Sequence, residues 1–111
     1  PRARVIQLHG FDAAKRVTEE GRSADLIISN GSVAYDNSLR SLQICLRNQV
    51  GMVARVYGLD VYELGATRNE IGKQLNLKVG GNFIHLEMSA RIREQYGKKG
   101  WLEAMSRCLQ I

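Results

Sequence analysis

Few side chains in this sequence are of the types that carry chemistry, and their spacing decides how far each can be taken. His85 and Glu87 are separated by one residue in the alternating run Phe83 to Met88, so a strand would point both to one side. The other histidine, His9, lies far away in the chain, and neither histidine has a ligand spacing with a cysteine. Two ligands do not make a metal site, and the expectation is no metal and no cofactor. Glu19 and Glu20 are adjacent at the end of a predicted helix, where one must point away from the other. The chain has no G-x-x-x-x-G-K-S/T loop, no G-x-S-x-G elbow and no G-x-G-x-x-G after a strand. A non-enzyme is expected, with a metal-dependent nuclease built from scattered carboxylates as the catalytic reading left open.

The basic residues are more distinctive. Arg40, Arg47 and Arg55 recur at i, i+7 and i+15, and no acidic residue occurs between Asp36 and Asp60. On a helix they form one positive face. Sixteen Lys and Arg against eleven Asp and Glu give a net charge of +5 and a pI near 9.6, which favours an anionic partner. Arg68, Lys73 and Lys78 fall on a predicted short helix and hairpin, and Lys98 and Lys99 in a glycine-flanked connector. Contacts from such residues to phosphates release counterions and need no sequence motif. The function expected is non-catalytic binding of nucleic acid, double-stranded DNA in particular, in a regulatory or accessory role such as transcription regulation. The alternative is an adaptor or inhibitor that binds an acidic protein through the same residues.

The elements that must position these groups follow from periodicity. Leu39, Leu42, Leu46, Val50, Val53 and Tyr57 share one stripe, which predicts a long amphipathic helix over Leu39 to Tyr57, capped by Asp36, Asn37 or Ser38 and stopped by Gly58. Ahead of it, Val5 to Leu8 predicts a strand, Asp12 a cap for a helix Ala13 to Glu20, and Leu26 to Ser29, Asn30-Gly31 and Ser32 to Tyr35 a β-hairpin. A competing reading makes Val5–Leu8, Ala13–Glu20 and Leu26–Ile28 a βαβ unit of a parallel sheet. After the central helix, Thr67 to Glu70 fits a capping box opening a helix to Gln74. A second hairpin follows, with Leu77 opposite Ile84 and Leu75 opposite Leu86 across Gly80-Gly81. Ser89 caps a helix Ala90 to Tyr96, and Trp101 to Ile111 forms the last helix.

These elements predict one basic α+β domain spanning residues 1–111, with two hairpins flanking a long central helix and two C-terminal helices. A winged-helix-like arrangement would use Arg68–Gln74 as the recognition helix and the Gly80-Gly81 hairpin as the wing. A plain helix-turn-helix fits poorly because its second helix would contain both glycines, and a strand-helix-helix reader built on Phe83 to Met88 has too short a first helix. Hairpin edges and the apolar last helix predict a homodimer. Cys45 and Cys108 lie in apolar surroundings and are expected as free thiols in a reducing, cytoplasmic compartment. Arg47 and Arg55 interrupt the longest apolar stretch, so no membrane span is expected.

Overall fold

The computed structural model describes residues 5–32, 34–65, 83–95 and 101–109. Their architecture is α+β: a four-stranded mixed sheet and four α-helices, one of them long. The strands are β1 (Val5–Gly10), β2 (Leu26–Ser29), β3 (Ala54–Val56) and β4 (Phe83–Met88), in spatial order β1-β4-β2-β3. β4 runs parallel to β1, with Val5 beside Phe83 and Gly10 beside Met88, and antiparallel to β2, with Leu26 beside Met88 and Ser29 beside His85. β2 and β3 are parallel. All six residues of β4 are buried, so both faces of this strand are covered. Alternation sends Ile84, Leu86 and Met88 into the main core and Phe83, His85 and Glu87 to the opposite face.

The helices are α1 (Glu19–Ser23), α2 (Asn37–Val50), α3 (Ala90–Gln95) and α4 (Trp101–Leu109), with a 3-10 turn at Ala13–Lys15. Leu39, Leu42 and Leu46 of α2 pack on Leu26, Ile28, Ala54 and Val56 of the sheet, and Ile92, Met105 and Cys108 close the same core. The expected stripe is therefore a real buried face, but the helix is shorter than its periodicity predicts. Asp36 caps its start by accepting a hydrogen bond from the Leu39 N–H at 3.1 Å. Gly51, at φ 71°, ends it in the left-handed conformation with its N–H on the Arg47 carbonyl. The chain after Gly51 becomes β3, where pairing with β2 satisfies the backbone and leaves Val53 and Tyr57 outside the helix.

Two further expectations change for related reasons. Asn30-Gly31 makes a turn but not a hairpin. The Asn30 side chain bonds Ser32 N and Ala34 O, the chain leads into α2, and both sides of β2 are taken by β3 and β4. The parallel unit present is β2–α2–β3, in place of one through Ala13–Glu20. That segment splits because Asp12 caps the 3-10 turn while Thr18 caps α1 separately. Leu86 lies between Leu8 of β1 and Ile28 of β2, and Leu75 to Val79, the other arm of the expected second hairpin, lie outside the described residues. The predicted helix Arg68–Gln74, the Gly80-Gly81 turn and the Gly97–Gly100 connector lie outside the described residues. Ser89 caps α3 as expected, accepting from Ile92 N at 3.3 Å.

Cys45 and Cys108 are joined in a disulfide that ties α2 to α4 across 63 residues of sequence, where free thiols were expected. Two half-buried or buried small side chains on helices packed together have the proximity a bond needs, which the sequence alone did not reveal. In the chain-entropy picture a loop of this length stabilises by about 4 kcal/mol through the unfolded state. Reduction, or replacement of both cysteines by Ala, is expected to lower Tm by roughly 15 °C in a calorimetric scan. An unchanged Tm would remove the cross-link as a stabilising element.

A polar tie holds the N-terminal excursion against the segment after β3. The Glu63 carboxylate accepts from Val17 N at 2.8 Å, Thr18 N at 3.1 Å and Thr18 Oγ1 at 2.8 Å, with Arg16 at 3.9 Å. Desolvation pushes its pKa up, but these hydrogen bonds and Arg16 outweigh that and leave it below the ordinary 4.5. The ionised form is therefore favoured by folding: its contribution is complete above pH 4.5 and is lost as pH falls through the lowered folded value. Glu63→Gln should lower Tm by roughly 5 °C at pH 7, and the gap from the wild type should narrow as denaturation is repeated at progressively more acid pH.

Candidate functional site: an arginine-lined cleft and a histidine–glutamate cluster

The expected arginine ridge does not form a single face. Arg40 and Arg47 are exposed on α2, but each turns back to the protein. The Arg40 guanidinium donates to Gln43 Oε1 at 2.5 Å, and Arg47 donates to the Ala54 carbonyl at 3.2 Å. Gln43 is fully buried and donates to the same carbonyl at 2.8 Å and to the Asp60 carboxylate at 2.6 Å. The two arginines thus brace the joint between α2 and β3. Arg55 follows the helix end by several residues and alternates away from Ala54 and Val56, both of which face the main core. It lies across the sheet from α2, donating to Ser23 Oγ at 3.4 Å while its buried Nε has no partner. Arg68, Lys73, Lys78, Lys98 and Lys99 lie outside the described residues.

A different set of arginines converges. β1 and β4 end together and β2 begins at the same edge, so Gly10, Asp25 and Ser89 meet there. An open cleft of about 670 Å³ at this place is lined by Gly10 to Ala13, by Arg22 to Asp25 and by Ser89, Ala90, Arg91 and Arg93. Arg22 is held by two backbone carbonyls, Val17 at 2.8 Å and Arg16 at 3.2 Å, and by Glu19 at 3.4 Å. Arg93 lies over Gly10 so closely that a Cβ there would sit 2.5 Å from its Nη1. Arg91 pairs with the buried Asp25 carboxylate, which also accepts from Val53 N at 2.7 Å, while the Asp25 carbonyl accepts from Ser89 N at 3.0 Å. Asp25 therefore joins β2, β3 and α3 and is neutralised by Arg91. Asp12, the other acid on the wall, is engaged by Ala14 N at 2.9 Å.

Beside this edge, on the face of the sheet away from α2, His9, His85 and Glu87 come together. His9 and Glu87 are register partners on the parallel strands β1 and β4, and His85 is two residues from Glu87 on the same face. His85 Nε2 is 3.3 Å from His9 Nδ1, and the Glu87 carboxylate is 3.8 Å from His9 and 3.6 Å from His85. The His85 side chain is 2% exposed, Glu87 10% and His9 47%, so among the described residues His9 is the most open member of the cluster. Burial, with the nearby His9 charge, pushes His85 down to about 4, and burial raises Glu87 against the opposing pull of His9 and Arg16. His85 is thus a neutral imidazole at neutral pH, with its buried Nδ1 unpartnered.

Sequence reasoning found the His85–Glu87 pair but not His9, which reaches it only through the parallel pairing of β1 with β4. It also passed over Arg22, Arg91 and Arg93, whose mixed acidic neighbours hide them from a charge-run search. No protein-family model, curated protein or solved structure matches the chain.

Proposed function

We propose that this protein binds nucleic acid without acting on it chemically, with duplex DNA as the target and a regulatory or accessory role. The observation that carries the reading is the cleft at the common end of β1, β4 and β2, where Arg22, Arg91 and Arg93 stand on one wall system. Guanidinium groups suit phosphate because their planar donor forks match two of its oxygens at once. Arg22 is held in place before any ligand arrives, which reduces the ordering lost on binding. The two acids of the cleft have partners within the protein, so they oppose an incoming anion less than free carboxylates would. Exposed Arg40 and Arg47 extend the positive surface along α2, and the chain's net charge of +5 favours encounter with a polyanion.

Homodimerisation belongs to the same proposal. β1 and β3 are the edge strands among the described residues, and edge pairing of two copies would double the basic surface. Among the described residues no helix is long and apolar enough to cross a membrane. A cytoplasmic setting is part of the proposal, and the Cys45–Cys108 bond would have to persist there against cellular reductants.

Fluorescence anisotropy with duplex DNA, single-stranded DNA and RNA at two salt concentrations tests the reading. Binding to the duplex should fall steeply with salt. The paired replacement Arg22→Ala with Arg93→Ala should reduce the slope of log affinity against log salt by about two, because neither residue carries a buried ion pair whose loss would unfold the domain. No binding to any of the three at low salt would sink the proposal and leave the same arginines for an acidic protein partner.

A further inference from the structure

We propose that His9, His85 and Glu87 form a binding site for a divalent transition-metal ion of the zinc class. The chain contains only two histidines, and the fold brings both to one point from strands far apart in sequence. There they meet a buried carboxylate. Two imidazole nitrogens and one carboxylate oxygen are a ligand set that zinc and its neighbours in the first transition row accept.

The spacing of the ligand atoms fits such an ion. The three ligand atoms form a triangle with sides of 3.3, 3.6 and 3.8 Å, and the point equidistant from its corners lies about 2.1 Å from each, which is the length of a zinc–nitrogen or zinc–oxygen bond. The same separations suit hydrogen bonds less well. Glu87 is beyond hydrogen-bond distance of both imidazoles, although its side chain is only 10% exposed. A carboxylate and two imidazoles held this close and largely out of water have a reason to be together if a cation sits among them.

The ligands stand on paired strands, not on loops. His9 and Glu87 are opposite each other in the β1–β4 register, and His85 shares the backbone of Glu87, so spacing within the triangle is set by the sheet. Three protein ligands leave a coordination position free, and the 47% exposure of His9 puts the way in on its side. The disulfide removes Cys45 and Cys108 as competing soft ligands. The metal ligands are none of the arginines assigned to nucleic-acid binding, so the two sites are separable by mutation.

The experiment is equilibrium dialysis of the chelator-treated full chain against zinc, with metal analysis, alongside a thermal scan. Wild type should take up one zinc per chain and gain roughly 10 °C in Tm when free zinc is a hundredfold above the dissociation constant. His9→Ala and Glu87→Gln should each weaken binding by at least about a hundredfold and abolish the thermal gain. His9→Ala also removes the partner of His85 Nε2, so the thermal gain of each protein is read against its own metal-free Tm. Cobalt in place of zinc should give visible absorption bands in the wild type that are absent from His9→Ala. Failure of the wild type to bind zinc saturably, or equal binding by wild type and His9→Ala, would overturn the site. The wild-type measurements decide the matter even if a variant fails to fold.

Discussion

The interior position of β4 is the constraint on which the rest of the structure depends. A strand paired on both sides has its backbone satisfied by its neighbours and its two faces offered to two different environments. Here one face, Ile84, Leu86 and Met88, meets α2, α3 and α4 in the main core. The other carries Phe83, His85 and Glu87, and it too is buried. Placing an imidazole and a carboxylate in that position is expensive unless each has a partner. β1 supplies the partner through His9, and it does so because it runs parallel to β4 in a register that sets His9 against Glu87. The end of β4 then fixes the cleft, since the turn at Ser89 bonds to the Asp25 carbonyl and aims Arg91 at the Asp25 carboxylate.

A second joint, between α2 and β3, accounts for the arginines of the helix. Gly51 lets the chain leave α2 and return as a strand beside β2, and the buried Gln43 and half-buried Asp60 tie that return to the helix. Arg40 and Arg47 join this network from the surface, so their charge and their hydrogen bonds serve structure as well as any surface encounter. The acid-free stretch from Asn37 to Leu59 has a plain physical reading in this light. Its two helical arginines are compensated by carbonyl and amide oxygens in place of neighbouring carboxylates. The Cys45–Cys108 bond ties α4 to the same helix.

Much of the local structure was legible in the residues. The leucine stripe of α2, the Asp36 cap, the Ser89 cap and the strand character of Leu26–Ser29 and Phe83–Met88 each rest on short-range stereochemistry and appear where they are expected. Two of the departures share one origin. Val53 and Tyr57 continue the helical period of α2 by coincidence, and Asn30-Gly31 is a hairpin turn by preference. Both signals were overruled because β2 found better partners in β3 and β4 than in Ser32–Tyr35. Propensity is worth tenths of a kcal/mol per residue, whereas burial of a whole strand between two neighbours is worth several, so the pairing decides.

What the sequence by itself determined is the α+β character, the buried face of the long helix, its start, and an excess of positive charge. These depend on neighbours within a few residues. The tertiary structure alone decided the strand order β1-β4-β2-β3, the union of Cys45 with Cys108, the separation of Arg55 from Arg40 and Arg47, and the meeting of His9 with His85 and Glu87. Each of those joins residues whose separation along the chain carries no local signal. They come together only when the sheet is assembled, because strand pairing is a contest among all available edges and is settled by which combination buries the most apolar surface with the fewest unpaired backbone groups.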